Sequence, residues 1–195
     1  MTDNQDIQAI AEKWYVPLSC ENKTLREAYL EMKVFGLKQE DVPFIIQLVE
    51  NPKFDLPGID IFHGSAELET HDHIHILLGR GVLPKDEAFV LGFTMGCTNR
   101  VSGMEEQLYT LIARYLYPKG YRFSEADIRV YRDAVRLGFI SDCHSLAEVD
   151  YQQFLDTSLQ EIRNALSIES DLLRAYYSIE KRRNPDCTES QRLLD

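Results

Sequence analysis

A chain of 195 residues and 22.6 kDa is long enough for one domain with a sizeable core and short for two. Its 32 acidic against 21 basic side chains leave a formal charge of -11, which repels phosphate backbones, and no Lys/Arg-rich run offsets it, so nucleic acid is excluded as a partner. The longest apolar stretch, residues 88–97, is about half of the ~20 residues needed to cross a bilayer, so no membrane span is expected.

The opening MTDNQDIQAI is polar and acidic, without the basic n-region and apolar h-region of a signal peptide or the Arg-rich character of a transit peptide. A cytoplasmic protein is therefore expected. Cys20, Cys97, Cys143 and Cys187 are widely spaced with no Cys-x-x-Cys pair, which argues against a cysteine zinc site and against a disulfide framework.

Apolar residues recurring three and four positions apart predict helices near 6–14, 24–34 and 41–50, the last with Asp41 as N-cap and Pro43 in its first turn. The stretch 51–64, with two prolines and two glycines, breaks that period and reads as a loop. Helices resume at about 66–78, 84–100, 103–117 and 124–138, where Ser124 and Asp127 have capping-box spacing; two more are predicted near 146–166 and 168–182. No run alternates like a strand, no repeat is visible, and residues 184–195 read as a frayed polar tail. The expected fold class is all-α, a single helical domain over 1–195.

The strongest chemical signal is ETHDHIHILLG at 69–79. With 3.6 residues per turn, His71 and His75 stack on one face and Asp72 sits about 100° from His71, whereas His73, about 200° away, faces the other side and is excluded. Gly79 suits a helix C-cap, Gly81 eases a reversal and Pro84 fits the first turn of a following helix, which together read as a helical hairpin. Glu87, about one turn after the reversal, then comes level with His75, about one turn before it. His71, Asp72, His75 and Glu87 are candidate metal ligands, and two imidazoles with two carboxylates suit zinc, iron(II) or manganese. The competing reading pairs His71 and His75 with Glu67 or Asp72 in ordinary surface ion pairs.

The string His71-Asp72-x-x-His75, followed after eleven residues by Glu87, resembles the zinc-ligand motif of the coenzyme Q biosynthesis protein four family. Residues 76–79 resemble that family's apolar continuation, and the resemblance covers residues 71–90. It implies an all-helical homodimer in peripheral contact with a membrane, a divalent metal (zinc first) on those four residues, and a place in ubiquinone biosynthesis. The implied partner is a prenylated quinone precursor or related isoprenoid lipid, with decarboxylation or hydroxylation of its ring or an organising role as the implied activity. Two other classes stay open. One is an HD-type metal-dependent phosphohydrolase, built on His71-Asp72 with Asp127 or Asp133 as a later carboxylate; the other is a non-catalytic lipid-binding or scaffold protein whose ion is structural.

Three further features carry weaker signals. Phe89, Val90, Phe93 and Met95, with Gly92 and Gly96 four apart, fit core packing, a close helix approach or an apolar tunnel. Arg114, Lys119 and Arg122 among Tyr115, Tyr117, Tyr121 and Phe123, continued by Arg129, Arg132 and Arg136, suit lipid headgroups or an isoprenoid phosphate, and equally a solvated turn and helix face. Cys143 and His144 are adjacent but no third group orients them, so thiol catalysis is not expected.

Overall fold

Eight α-helices and two 3-10 turns make up the regular structure of residues 14–33, 66–118 and 122–194, which the computed structural model describes. In chain order they are α1 Leu25–Lys33, α2 Leu68–Leu78, α3 Pro84–Cys97, α4 Gly103–Tyr115, α5 Glu125–Ile140, the 3-10 turns Leu146–Glu148 and Tyr151–Phe154, α6 Leu159–Ala165, α7 Ser170–Arg183 and α8 Thr188–Gln191. The fold is all-α, with no strand among the described residues beyond an isolated bridge between Thr24 and Ser158. The helices expected near 6–14 and 41–50 and the loop at 51–64 fall outside the described residues, Trp14 apart. No described helix is long and apolar enough to cross a membrane.

Serines set three of the helix starts. Ser102, Ser124 and Ser158 each accept the N–H three residues on, and Glu105, Asp127 and Glu161 return a carboxylate to the serine N–H. Each box satisfies two donors that the first helical turn leaves open. Pro84 starts α3, where its missing N–H costs nothing.

The helix pair at the centre is α3 and α5. A Cβ on Gly92 or Gly96 would collide with the carbonyl oxygens of Tyr131 or Val135, and one on Gly138 with that of Phe93. The two backbones touch at these glycines, which settles the spacing of Gly92 and Gly96 as a close helix approach. Phe89, Val90, Phe93 and Met95 are core residues alongside it. Around this pair α2 is buried through its whole second half, and α1 contributes Leu25, Ala28, Tyr29 and Met32 from one face.

Two expectations are corrected. The helix predicted over 146–166 is broken into two 3-10 turns and the short α6. Asp150 Oδ1 accepts the Gln152 N–H at 3.1 Å and Ser158 caps a new helix, so side chains compete with helical continuation at both points. The tail expected to fray at 184–195 is instead anchored over 190–193: Ser190, Arg192 and Leu193 are buried, and the Gln191 amide donates to the carbonyls of Lys181 and Asn184. Its polar composition supplies partners for buried groups rather than solvation.

The contact at the glycines sets a stability prediction. Gly138→Ala should cost about 1–3 kcal/mol through overpacking, whereas Gly103→Ala, with nothing within 4 Å of the added Cβ, should change stability little. Urea unfolding of both variants checks this; equal midpoints would mean that α3 and α5 do not meet as described.

Candidate metal centre

The site is built on the α2–α3 hairpin. Gly79 closes α2 in the left-handed region (φ 70°), with its own N–H on Ile76 O and the Arg80 N–H on His75 O, so the chain reverses within five residues. This turn faces the last turn of α2 towards the first turns of α3. His71 and His75, one helical turn apart, then meet Glu87 from the other helix.

His71 Nε2 lies 2.9 Å from Glu87 Oε2, His75 Nε2 3.3 Å from the same oxygen, and the two Nε2 atoms are 2.9 Å apart. The imidazoles stand edge to face, with ring centroids 4.6 Å apart. His75 is fully buried, whereas the Glu87 side chain keeps 32 % of its surface exposed, so the triad opens to solvent on the carboxylate side. His75 Nδ1 donates to the Gly81 carbonyl at 2.6 Å. Because a carbonyl only accepts, Nδ1 carries a proton, so Nε2 is the ring nitrogen left to offer a lone pair when the ring is neutral.

Three basic atoms thus converge, and at most a few protons can be shared among them. Nitrogen and carboxylate oxygen donors this close together suit a divalent ion, so His71, His75 and Glu87 could hold a metal ion. Burial pushes the Glu87 carboxyl up, but the charges of His75 and His71 and their hydrogen bonds outweigh it and hold it well below the usual carboxylate range.

The hairpin joins three of the four residues expected as ligands. Asp72 stands outside the close group; burial pushes its carboxyl up to about 6, against the pull of the His71 and His75 charges. His73 lies on the opposite side of α2, between the rings of Tyr29 (4.5 Å) and Tyr151 (5.2 Å), with neither ring nitrogen hydrogen-bonded among the described residues. Burial lowers its pKa to about 4.

A buried charge layer under the hairpin has no counterpart in the sequence reading. Arg80, fully buried, forks onto Glu180 at 2.6 and 3.1 Å and lies over the rings of Phe89 (3.9 Å) and Tyr177 (4.3 Å). Ser190 Oγ donates to Glu180 at 2.9 Å, and Asp86, also fully buried, is paired with Arg192 and lies 3.9 Å from Arg80. Leaving one of these charges unpaired would cost about 3–5 kcal/mol. Arg80 between two glycines and Asp86 beside Glu87 were visible, but their partners lie 100 and 106 positions away, where no local pattern connects them.

Other candidates sit elsewhere. Asp127 caps α5 and pairs with Lys85 at 2.7 Å, and Asp133 pairs with Arg183 at 2.8 Å. Arg114, Arg129 and Arg136 are exposed, and Arg132 is 3.5 Å from Glu106. Lys119 and Tyr121 lie outside the described residues. The Cys143 thiol is buried and donates to the His144 carbonyl at 3.4 Å; its contact with Cys97 and its burial raise its pKa, which disfavours the nucleophilic thiolate. Tyr176 and Tyr177 pack on Phe89 as core residues.

Comparison with protein-family models, with curated proteins and with solved structures returns no match for this chain.

His73 provides a pH prediction. Its folded pKa of about 4 lies below the unfolded 6.5, so the unfolded chain takes the proton first and stability falls as pH drops from 6.5 towards 4. His73→Phe should remove on the order of 1–3 kcal/mol of that loss, read from urea midpoints at pH 7 and pH 4.5. An unchanged pH dependence would show that His73 titrates normally.

Proposed function

We propose that this protein binds a divalent metal ion, zinc first and iron or manganese next, through His71, His75 and Glu87. We further propose that it acts on or carries a prenylated quinone precursor or related isoprenoid lipid, as its resemblance to the coenzyme Q biosynthesis protein four family implies. The observation that supports the metal most directly is the triangle of two Nε2 atoms and one carboxylate oxygen with sides of 2.9, 2.9 and 3.3 Å. One corner is fixed by the His75–Gly81 hydrogen bond.

Two imidazoles and a carboxylate form a nitrogen and oxygen donor set that zinc, iron(II) and manganese accept, and three protein donors leave positions open for an outside ligand. A divalent ion bound there supplies Lewis acidity to a substrate oxygen. In this reading Asp72, the neighbouring carboxylate outside the triad, would hold or pass a proton, and the exposed edge of Glu87 leaves the approach open.

A peripheral surface suits the same reading. Met104, Leu108, Leu111 and Tyr115 recur at helical spacing along α4 and are all exposed, forming an apolar stripe with Arg114 beside it. Such a stripe fits contact with a lipid surface or with a second copy in a homodimer.

Plasma mass spectrometry on protein purified without a histidine tag tests the metal. The wild type should carry close to one ion per chain, and His75→Ala and Glu87→Ala less than about a tenth of that. Mass spectra of lipids extracted from the same preparation should show a prenylated ring. A wild type that is metal-free and refuses added zinc, iron and manganese would overturn the reading; phosphoester turnover would move it to the HD-type phosphohydrolases.

A further inference from the structure

The carbonyl that fixes His75 belongs to Gly81, and Gly81 is pressed between the backbone oxygen of Trp14 and the guanidinium of Arg192; a Cβ at this position would strike both. The same guanidinium pairs with Asp86, whose carboxylate accepts the Leu83 N–H at 3.2 Å across the first turn of α3. Asp86 immediately precedes Glu87. One side chain therefore bears on both halves of the hairpin: the turn that orients His75 and the helical turn that presents Glu87.

Arg192 is delivered by a segment that is itself anchored below the site. Ser190 donates to Glu180, Glu180 accepts both arms of Arg80, and Arg80 stands within 3.9 Å of Asp86. Leu193 is buried in the main core. The four charges alternate in sign, so displacing Arg192 leaves Asp86 buried with the Leu83 N–H and the longer contact to Arg80, and frees the turn at Gly81 to move.

We propose that Arg192 is a positioning residue for the metal centre, so that metal affinity is coupled to docking of the 188–194 segment. The inference rests on the metal reading above. Groups that orient metal ligands without touching the ion are worth roughly 10–100-fold in affinity, and coupling is reciprocal: if docking raises affinity, the ion must stabilise docking by the same factor.

The test uses the full chain and two probes, zinc by chelator competition and cobalt(II) by its visible absorption. Arg192→Met should bind zinc about 10–100-fold more weakly and shift the cobalt bands, with its far-UV circular dichroism and metal-free unfolding midpoint compared with wild type to separate this from global loss of fold. Arg192→Lys keeps the charge on Asp86 but not the planar cover over Gly81, and should recover part of the loss. Wild-type hydrogen exchange supplies a readout that needs no variant: added zinc should slow exchange across 188–194. Wild-type affinity and an unaltered cobalt spectrum in Arg192→Met, or exchange at 188–194 indifferent to zinc, overturns the positioning role and leaves the metal site standing. A wild type that binds neither ion overturns both.

Discussion

The reversal at residues 79–83 is the constraint from which the rest of the site follows. A chain that turns between two buried helices exposes backbone groups to an environment without water, and each needs a partner. Here the Gly81 carbonyl takes the Nδ1 proton of His75, and Tyr177 Oη donates to the Leu78 carbonyl at 2.5 Å. The first of these bonds fixes which imidazole nitrogen is left with a lone pair. Backbone satisfaction and the orientation of His75 are thus one interaction, and a fully buried histidine at this position is explained without any polar partner beyond the turn and the triad.

Beneath the turn, charge is buried only where it is matched. Arg80 has a bidentate carboxylate on one side and aromatic faces on the other, while Asp86 has Arg192. Such pairs contribute little net stability but penalise any other arrangement heavily. That is the property a ligand site needs, because His71 and His75 on α2 and Glu87 on α3 must meet at hydrogen-bond distances across a gap that apolar packing alone would specify loosely. Arg163, buried beside the same end of α2, meets no carboxylate in these bonds and donates instead to the backbone carbonyls of Leu77 at 2.9 Å and Leu18 at 3.1 Å.

Much of this was legible in residue order, for local reasons. The Ser124–Asp127 box, the left-handed glycine at 79 and the proline at 84 mark helix ends through chemistry confined to a few neighbours, and helical period alone separates His73 from His71 and His75. Glu87 was reachable because a short hairpin makes distance in sequence predict height in space. What escaped depended on distant partners. The apolar spacing in 146–166 concealed side-chain caps that restart the chain, and the polar 184–194 segment looked solvated because the groups it serves, Asp86, Glu180 and Lys181, are named elsewhere in the chain. Asp72 shows the limit of angular reasoning: 100° around α2 leaves a short carboxylate outside the close group while its neighbour His71 is inside.

The functional account rests on whether three converging basic atoms hold an ion. Anomalous diffraction from a crystal grown with zinc, collected on both sides of the zinc absorption edge, addresses this directly. A single strong peak about 2 Å from His71 Nε2, His75 Nε2 and a Glu87 carboxylate oxygen, with His75 Nδ1 still on Gly81, is the predicted result. Zinc bound elsewhere, or a triad bridged only by protons with no peak between its members, would contradict the account.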